Sequence, residues 1–444
     1  MLTKLKSLKN HQGFMKYFKN TSWLFFEQII RMTVALFVGI LVTRYLGPEK
    51  YGIFSYAQSF VGLFSIIATL GLDNIVIREL VKKQYATNDL LGTVFVLKLF
   101  GSFIVLIILA IAIQFTSNSY DTNIFIFIIG AATIFQTFNV FNFYFQSKVE
   151  SKYVVYAKMI ALSISSILKI LFILTNEPLI YFVYIVLFES FIVGMGLLYF
   201  FIKKSAINIF IFTFQKEIAL TLLKDSWPLI FSGMVVAIYM KIDQIMIKEL
   251  MDAKSVGIYA VAARLSELWY FIPAAIVSSL FPAIIKYHEN DKIKFYKKLQ
   301  QLYDLMVWMA IAIAIVISFF GTDLVQILFG KAYIESGNIL IIHIWSGVFV
   351  FLGFASGKYF IVKNLAKKSF YKSLLGAIIN VILNYIWIKQ YGIIGAAMAT
   401  LAAQIFSNYI YDFLDKDLRG QFIMKTKSFF PVHLIKREKF VNEL

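Results

Sequence analysis

The chain has 444 residues, 60% of them hydrophobic and 15% charged, with a formal net charge of +18 and no cysteine. Soluble domains carry about 25% charged residues, so this composition belongs to an integral membrane protein. Disulfides, zinc–thiolate sites, iron–sulfur clusters and thiol catalysis are excluded, and basic residues spread over short loops follow the positive-inside pattern rather than that of nucleic-acid binding.

Residues 1–19 carry five lysines and a weak helical stripe of Leu2, Leu5 and Leu8. They read as a basic amphipathic segment on the cytoplasmic surface, not a cleaved signal peptide, since no short apolar core leads to a small-residue cleavage site. A helix needs about 20 apolar residues to cross the hydrocarbon core. Runs of that length occur at 20–42, 51–72, 90–115, 123–146, 153–174, 179–202, 226–249, 255–285, 303–320, 337–362, 369–389 and 392–413. They predict an all-α polytopic membrane protein with twelve transmembrane helices. With lysines at span ends counted in the adjoining loops, the termini and even-numbered loops hold 30 basic residues, the odd-numbered loops 6, and the span interiors 7. That bias puts the N and C termini in the cytoplasm.

The longest segment between spans divides them six and six. The expected organisation is a basic N-terminal segment (1–19), an N-lobe (20–202), a cytoplasmic linker (203–225), a C-lobe (226–413) and a basic cytoplasmic tail (414–444). A weak repeat relates the lobes: aligning Gly52 with Gly257 also aligns Ile53 with Ile258 and Ala57 with Ala262. Six spans per lobe give the repeats the same orientation, as in transporters whose two bundles rock about a shared axis. Pro228 falls near the start of span seven, where a missing N–H costs little. Pro273 should kink span eight, with Pro282 close to its cytoplasmic end.

Seven cations lie inside these spans. Arg31 sits about eleven residues into the first, where a charge costs on the order of 2.5–3.5 kcal/mol on insertion scales. Glu27 is four residues before it on the same face, so the two read either as a self-neutralising pair or as a pair whose guanidinium faces a cavity. Arg264 and Glu267 repeat the theme in span eight. Lys241 and Asp243 in span seven point about 200° apart and cannot share a face. Lys158 and Lys169 share a face of span five and read either as snorkelling side chains or as a stripe along a lumen. Lys98 is undecided, and Lys358 reads as snorkelling. The candidate substrate contacts are Arg31, Lys241, Arg264, Lys98 and Lys169. Glu27, Asp243 and Glu267 are candidate charge partners or, with Glu189 and His343, carriers of a coupling proton or sodium ion. No nucleophile–base arrangement, phosphate loop or metal-ligand cluster stands out.

The run from Leu41 through Arg44, Gly47-Pro48-Glu49-Lys50-Tyr51-Gly52, Leu70-Gly71-Leu72-Asp73 and Arg78-Glu79 carries a family resemblance. So do Lys241-Ile242-Asp243-Gln244, Gly257-Ile258-Tyr259, Phe271-Ile272-Pro273 and Phe281-Pro282. The chain resembles the Wzx-like polysaccharide-repeat flippases of the MOP superfamily, relatives of MATE exporters. The resemblance implies two six-helix lobes around a cavity that opens alternately to either side of a bacterial inner membrane. It implies an undecaprenyl-diphosphate-linked oligosaccharide as substrate, destined for O-antigen or another surface polymer, and no resident cofactor. Membrane lipids, a polysaccharide polymerase and a chain-length regulator are the implied partners. Twelve spans rather than fourteen argue against the peptidoglycan-precursor branch. The competing readings are a MATE-type multidrug exporter, which should present unpaired carboxylates at mid-membrane, and a membrane polymerase or ligase, which should carry a sizeable outer loop.

Overall fold

A computed structural model describes residues 12–205 and 207–430, and these are helical throughout their ordered elements, with no strand among them. Residues 1–11, 206 and 431–444, and the side chains of residues 12–19, Pro282 and Ala283, lie outside the described residues, and with them the side chains of the expected amphipathic segment 1–19. The α-helices in chain order are α1 (Gln12–Thr69), α2 (Asp73–Lys82), α3 (Thr87–Ala112), α4 (Tyr120–Gln136), α5 (Asn139–Ser147) and α6 (Lys152–Leu174). Next come α7 (Leu179–Lys204), α8 (Lys216–Leu250), α9 (Ala253–Glu267), α10 (Phe271–Asn290), α11 (Lys292–Phe329) and α12 (Ile334–His343). The last are α13 (Ser346–Val362), α14 (Ala366–Tyr391), α15 (Ile393–Ile405), α16 (Tyr411–Leu414) and α17 (Arg419–Phe429).

Among the described residues, ten helical segments are long and apolar enough to cross a membrane. The number rises to eleven when Lys331–His343 and Ser346–Val362, bent by 48°, are taken as one span. One of the ten, Asn20–Lys82, is 63 residues long. At about 1.5 Å per residue it is three times the length that a bilayer core of about 30 Å demands. It contains a break: Gly47 has φ 69° and ψ 171°, and Pro48 opens the next arm. That backbone region is nearly closed to residues with a Cβ, and proline at a first helical position loses no hydrogen bond.

The expected repeat has a local counterpart. In the alignment of Gly52 with Gly257, the break at Gly47 meets Asp252, whose carboxylate caps α9 by accepting the Ser255 N–H at 2.7 Å. Each aligned segment thus starts a helix. Pro228 departs from expectation: α8 begins at Lys216, so the proline lies well inside a helix and forfeits a backbone bond. Pro273 acts as foreseen, because α9 ends in a 3₁₀ turn at Leu268–Tyr270 immediately before the proline-bearing α10. The stretch 321–336 between the ninth and tenth expected spans is mostly helical, since α11 continues to Phe329.

Two compact units result, Met1–Ala237 and Ile238–Leu444, and the division falls inside α8. The segment before α8 is strapped to the first unit. The Gln215 N–H donates to Thr93 Oγ1 at 2.9 Å, Thr213 Oγ1 donates to Asp89, and the Thr213 backbone comes so close to Gly92 that a Cβ there would lie 2.7 Å from its carbonyl oxygen. Arg78 Nη2 reaches Asp225 Oδ2 at 2.8 Å at the foot of α8. The first unit's core gathers Leu90, Val94, Phe141, Phe145, Leu197 and Phe201. The second unit's core gathers Leu302, Met306, Val307, Phe351, Leu352 and Ala355.

Candidate functional site

In the first unit the charges lie between neighbouring helices. Arg31 donates from Nε to Glu27 Oε1 at 2.8 Å, as their spacing of four on α1 requires. Its Nη2 donates to Gln28 Oε1. The Glu27 side chain is 4% exposed but that of Arg31 is 45% exposed, so the pair buries the acid and presents the guanidinium. Lys158 on α6 is half-buried, and the charges acting on its amine are those of Glu27 and Arg31.

Two further cations have carboxylate partners. Lys98 is buried in α3, donates to Asp73 Oδ1 at 2.7 Å at the start of α2, and lies 4.6 Å from the Phe143 ring centroid. Lys169 on α6 meets Glu189 on α7 at 3.3 Å. The four intramembrane cations of this unit are therefore not gathered around one point. Lys98 and Lys169 neutralise acids at separate helix contacts, and Arg31 is the most exposed of the three candidates, with nearly half its side chain open.

In the second unit Asp243 and Lys241 diverge, as their angular separation demands. Lys241 is half-buried, whereas Asp243 turns into the unit and is buried. Tyr259 Oη donates to Asp243 Oδ2 at 2.6 Å, Asn384 Nδ2 donates to Oδ1 at 2.6 Å, and Thr400 Oγ1 lies 2.6 Å from Oδ2. Asn380 lies beside the same carboxylate. Its amide oxygen and that of Asn384 are buried without a hydrogen-bond partner among the described residues. A carboxylate, two amide oxygens and a hydroxyl are the hard oxygen donors that sodium and similar cations take. Protonation of the carboxylate would satisfy the same place.

A polar hollow next to this carboxylate is lined by Tyr239, Glu267, Tyr270, His343 and Gln404. Glu267 lies within it, near enough for Lys241 and Asp243 to act on its charge. Arg264, three residues earlier on α9, is exposed, and Lys358 on α13 lies 4.6 Å from the Phe281 ring centroid. Among the described residues, no three His, Asp or Glu side chains are grouped so as to hold a metal ion by themselves. The sequence reading missed Tyr259, Asn380, Asn384 and Thr400. Its available signal was the pair of asparagines four apart in an apolar span, since intramembrane amides on one helix face seek a polar partner.

Known proteins resemble this chain in sequence or in fold. The profile of the family described as "Polysaccharide biosynthesis protein" matches residues 17–288, and that of MatE matches residues 228–386. The chain is 23% identical over 406 residues to the capsular polysaccharide biosynthesis protein CapF of Staphylococcus aureus, covering 90% of this chain and 99% of that one. It is 27% identical over 206 residues to an uncharacterised membrane protein, MJ1375, of Methanocaldococcus jannaschii, covering 46% of each chain. Among solved structures, an inward-facing multidrug resistance MATE family transporter of the MOP superfamily superimposes with a TM-score of 0.73 at 15% identity, covering 89% of this chain and 96% of the other. The lipid II flippase MurJ in an inward closed conformation gives 0.69 at 16% identity, covering 94% and 93%. The helical pattern, the intramembrane ion pairs and a family match over more than half the chain agree: this multi-pass membrane protein belongs to the polysaccharide biosynthesis protein family.

Proposed function

We propose that the protein flips undecaprenyl-diphosphate-linked oligosaccharide repeat units from the cytoplasmic to the outer leaflet of a bacterial inner membrane, by alternating access. The observation that carries this reading is Arg31. It is a permanent cation inside an apolar span, held at Nε by a buried acid while nearly half its side chain stays open. Arginine cannot shed its proton to escape the desolvation cost, and its planar fork matches phosphate oxygens in pairs. A diphosphate passing through a low-dielectric region needs such a replacement for its lost hydration. The names of CapF and of the lipid II flippase MurJ support a lipid-linked saccharide as cargo.

Twelve crossings with both termini cytoplasmic belong to the proposal. Taking the two arms of α1 on either side of Gly47 as separate spans, and the bent pair as one, leads to that number. Lys241 and Arg264 are proposed to serve the saccharide or diphosphate from the second unit, and Asp243 to carry the coupling sodium ion or proton. A polymerase and a chain-length regulator would act on the flipped product.

The test is deletion of the gene with measurement of surface polysaccharide and of lipid-linked repeat units in the cytoplasmic leaflet. Loss of polymer with trapped repeat units supports the reading. Normal polymer in a strain lacking any second flippase overturns it and favours the MATE-type exporter, to which the MatE match at residues 228–386 also points.

A further inference from the structure

We infer that Lys158 is the second cation of the anion site headed by Arg31, with Glu27 the carboxylate the two share. This rests on the proposed function, and it adds a residue that the spacing of charges along α6 left ambiguous.

Asn20 Oδ1 accepts the Ser151 N–H at 2.6 Å, which fixes α1, more than two turns in, against the foot of α6. Slightly further along both helices, the rings of Trp23 and Tyr156 meet edge-on with centroids 5.5 Å apart. Both contacts advance in the same chain direction, so the helices run parallel. Glu27 lies seven residues beyond Asn20, and Lys158 seven residues beyond Ser151. Seven residues raise each position by about 10 Å, so Glu27 and Lys158 stand level on two adjacent helices. On α6, Val154, Ala161 and Ser165 share a face with Lys158 and are fully buried, so Lys158 projects from the packed side of its helix, away from the exposed Tyr156. The charges acting on Lys158 are those of Glu27 and Arg31, as this register requires.

The chemistry of the trio follows from its charge count. One buried carboxylate between a guanidinium and an ammonium leaves a net charge of +1 inside an apolar span. Glu27 Oε1 takes Arg31 Nε, and Nη2 is engaged by Gln28, so Nη1 and the open side of the fork remain for a ligand. A lysine that merely snorkelled would turn its amine toward the headgroups, away from the guanidinium. Here Lys158 is half-buried and stands at the level of the acid. With no anion bound, Glu27 moderates the repulsion between the two cations. With one bound, the site holds two cations against a polyvalent headgroup, which favours a lipid diphosphate over a monophosphate.

The test uses the purified full chain in nanodiscs of zwitterionic lipid, with equilibrium binding of a short-chain polyprenyl diphosphate, the matching monophosphate and inorganic pyrophosphate. Lys158→Ala and Lys158→Met should each weaken diphosphate binding about tenfold, the loss that one charge-assisted hydrogen bond brings. Lys158→Arg should restore most of it, and the monophosphate should be affected less. Glu27→Gln should tighten diphosphate binding, because the cations lose their internal counter-ion. Pyrophosphate competing as well as the polyprenyl compound would assign recognition to the headgroup alone, and failure to compete would add the lipid tail to it. Both outcomes keep Lys158 in the site if its variants move them. Wild-type binding in Lys158→Ala and Lys158→Met, with binding lost in Arg31→Ala, would overturn the inference and leave the proposed function standing. Wild-type binding in all three would remove the anion site itself. A thermal-unfolding scan of each variant separates loss of fold from loss of site, since a trio that only joined α1 to α6 would lose stability in Lys158→Met without a change in diphosphate preference over monophosphate.

Discussion

Lys425 Nζ lies 2.7 Å from Asp412 Oδ2, and both side chains are wholly buried. The pair fastens the C-terminal helix α17 to the second unit. Lys425 also donates to the Asn408 carbonyl at 2.8 Å, in a π-helical stretch at Phe406–Ile410 where the backbone ladder is locally widened. Gln300 completes the dock, donating to the Met424 carbonyl at 3.0 Å and to Ser428 Oγ at 2.9 Å.

Removing one partner of that pair strands the other charge in a dry environment. Lys425→Met and Asp412→Leu should each cost about 3–5 kcal/mol, and the double variant should recover most of the loss. Thermal unfolding in detergent, followed by fluorescence, reads this directly. Equal melting of wild type and both single variants would mean that water reaches the pair.

Arg31→Ala should abolish transport while leaving the protein in the membrane at normal abundance. Arg31→Lys keeps the charge but not the fork, so the flipping rate should fall by about tenfold, equivalent to about 1.4 kcal/mol at the barrier. Complementation of a deletion strain, scored as surface polymer per molecule of protein, distinguishes the two. Full rescue by Arg31→Ala would detach the substrate from this residue.

If Asp243 holds the coupling ion, a saturating cation should stabilise the wild type, by about 2.7 kcal/mol at one hundred times its dissociation constant. Asp243→Asn should remove that response to sodium or to pH, and Thr400→Val should weaken it. Melting temperatures across sodium concentrations and across pH check this. A wild type indifferent to both would return Asp243 to a purely structural role.

Gly47→Ala places a Cβ where φ is 69° and ψ is 171°. The substitution should cost about 1–3 kcal/mol although nothing lies within 4 Å of the position a Cβ would take. Reduced yield of folded protein, with Gly52→Ala as the comparison inside a regular helix, is the readout.

The absence of native cysteine makes the chain its own background for topology mapping. In right-side-out vesicles a membrane-impermeant maleimide should label Asn118→Cys. It should leave Ser7→Cys, Asn290→Cys and Asn442→Cys unlabelled until the membrane is opened. Labelling of either terminal position from outside would reverse the proposed orientation.

The sequence by itself determined that this chain is helical and crosses a membrane many times, because spans are contiguous in the chain and their apolar content is a local property. It also determined the Glu27–Arg31 bond, since four residues along one helix place the two side chains together whatever surrounds them. Only the tertiary structure decided which charges are engaged across helices. Asp73 takes Lys98 from 25 residues away, Glu189 takes Lys169 from 20, and Asn384 and Thr400 reach Asp243 across 141 and 157 residues. The physical reason lies in the solvent. Lipid is as apolar as the protein core, so a membrane helix has no polar outer face from which periodicity could reveal its inner one. Which way each helix turns is settled by polar side chains finding one another across the bundle. That is why the charges were visible along the chain and their partners were not.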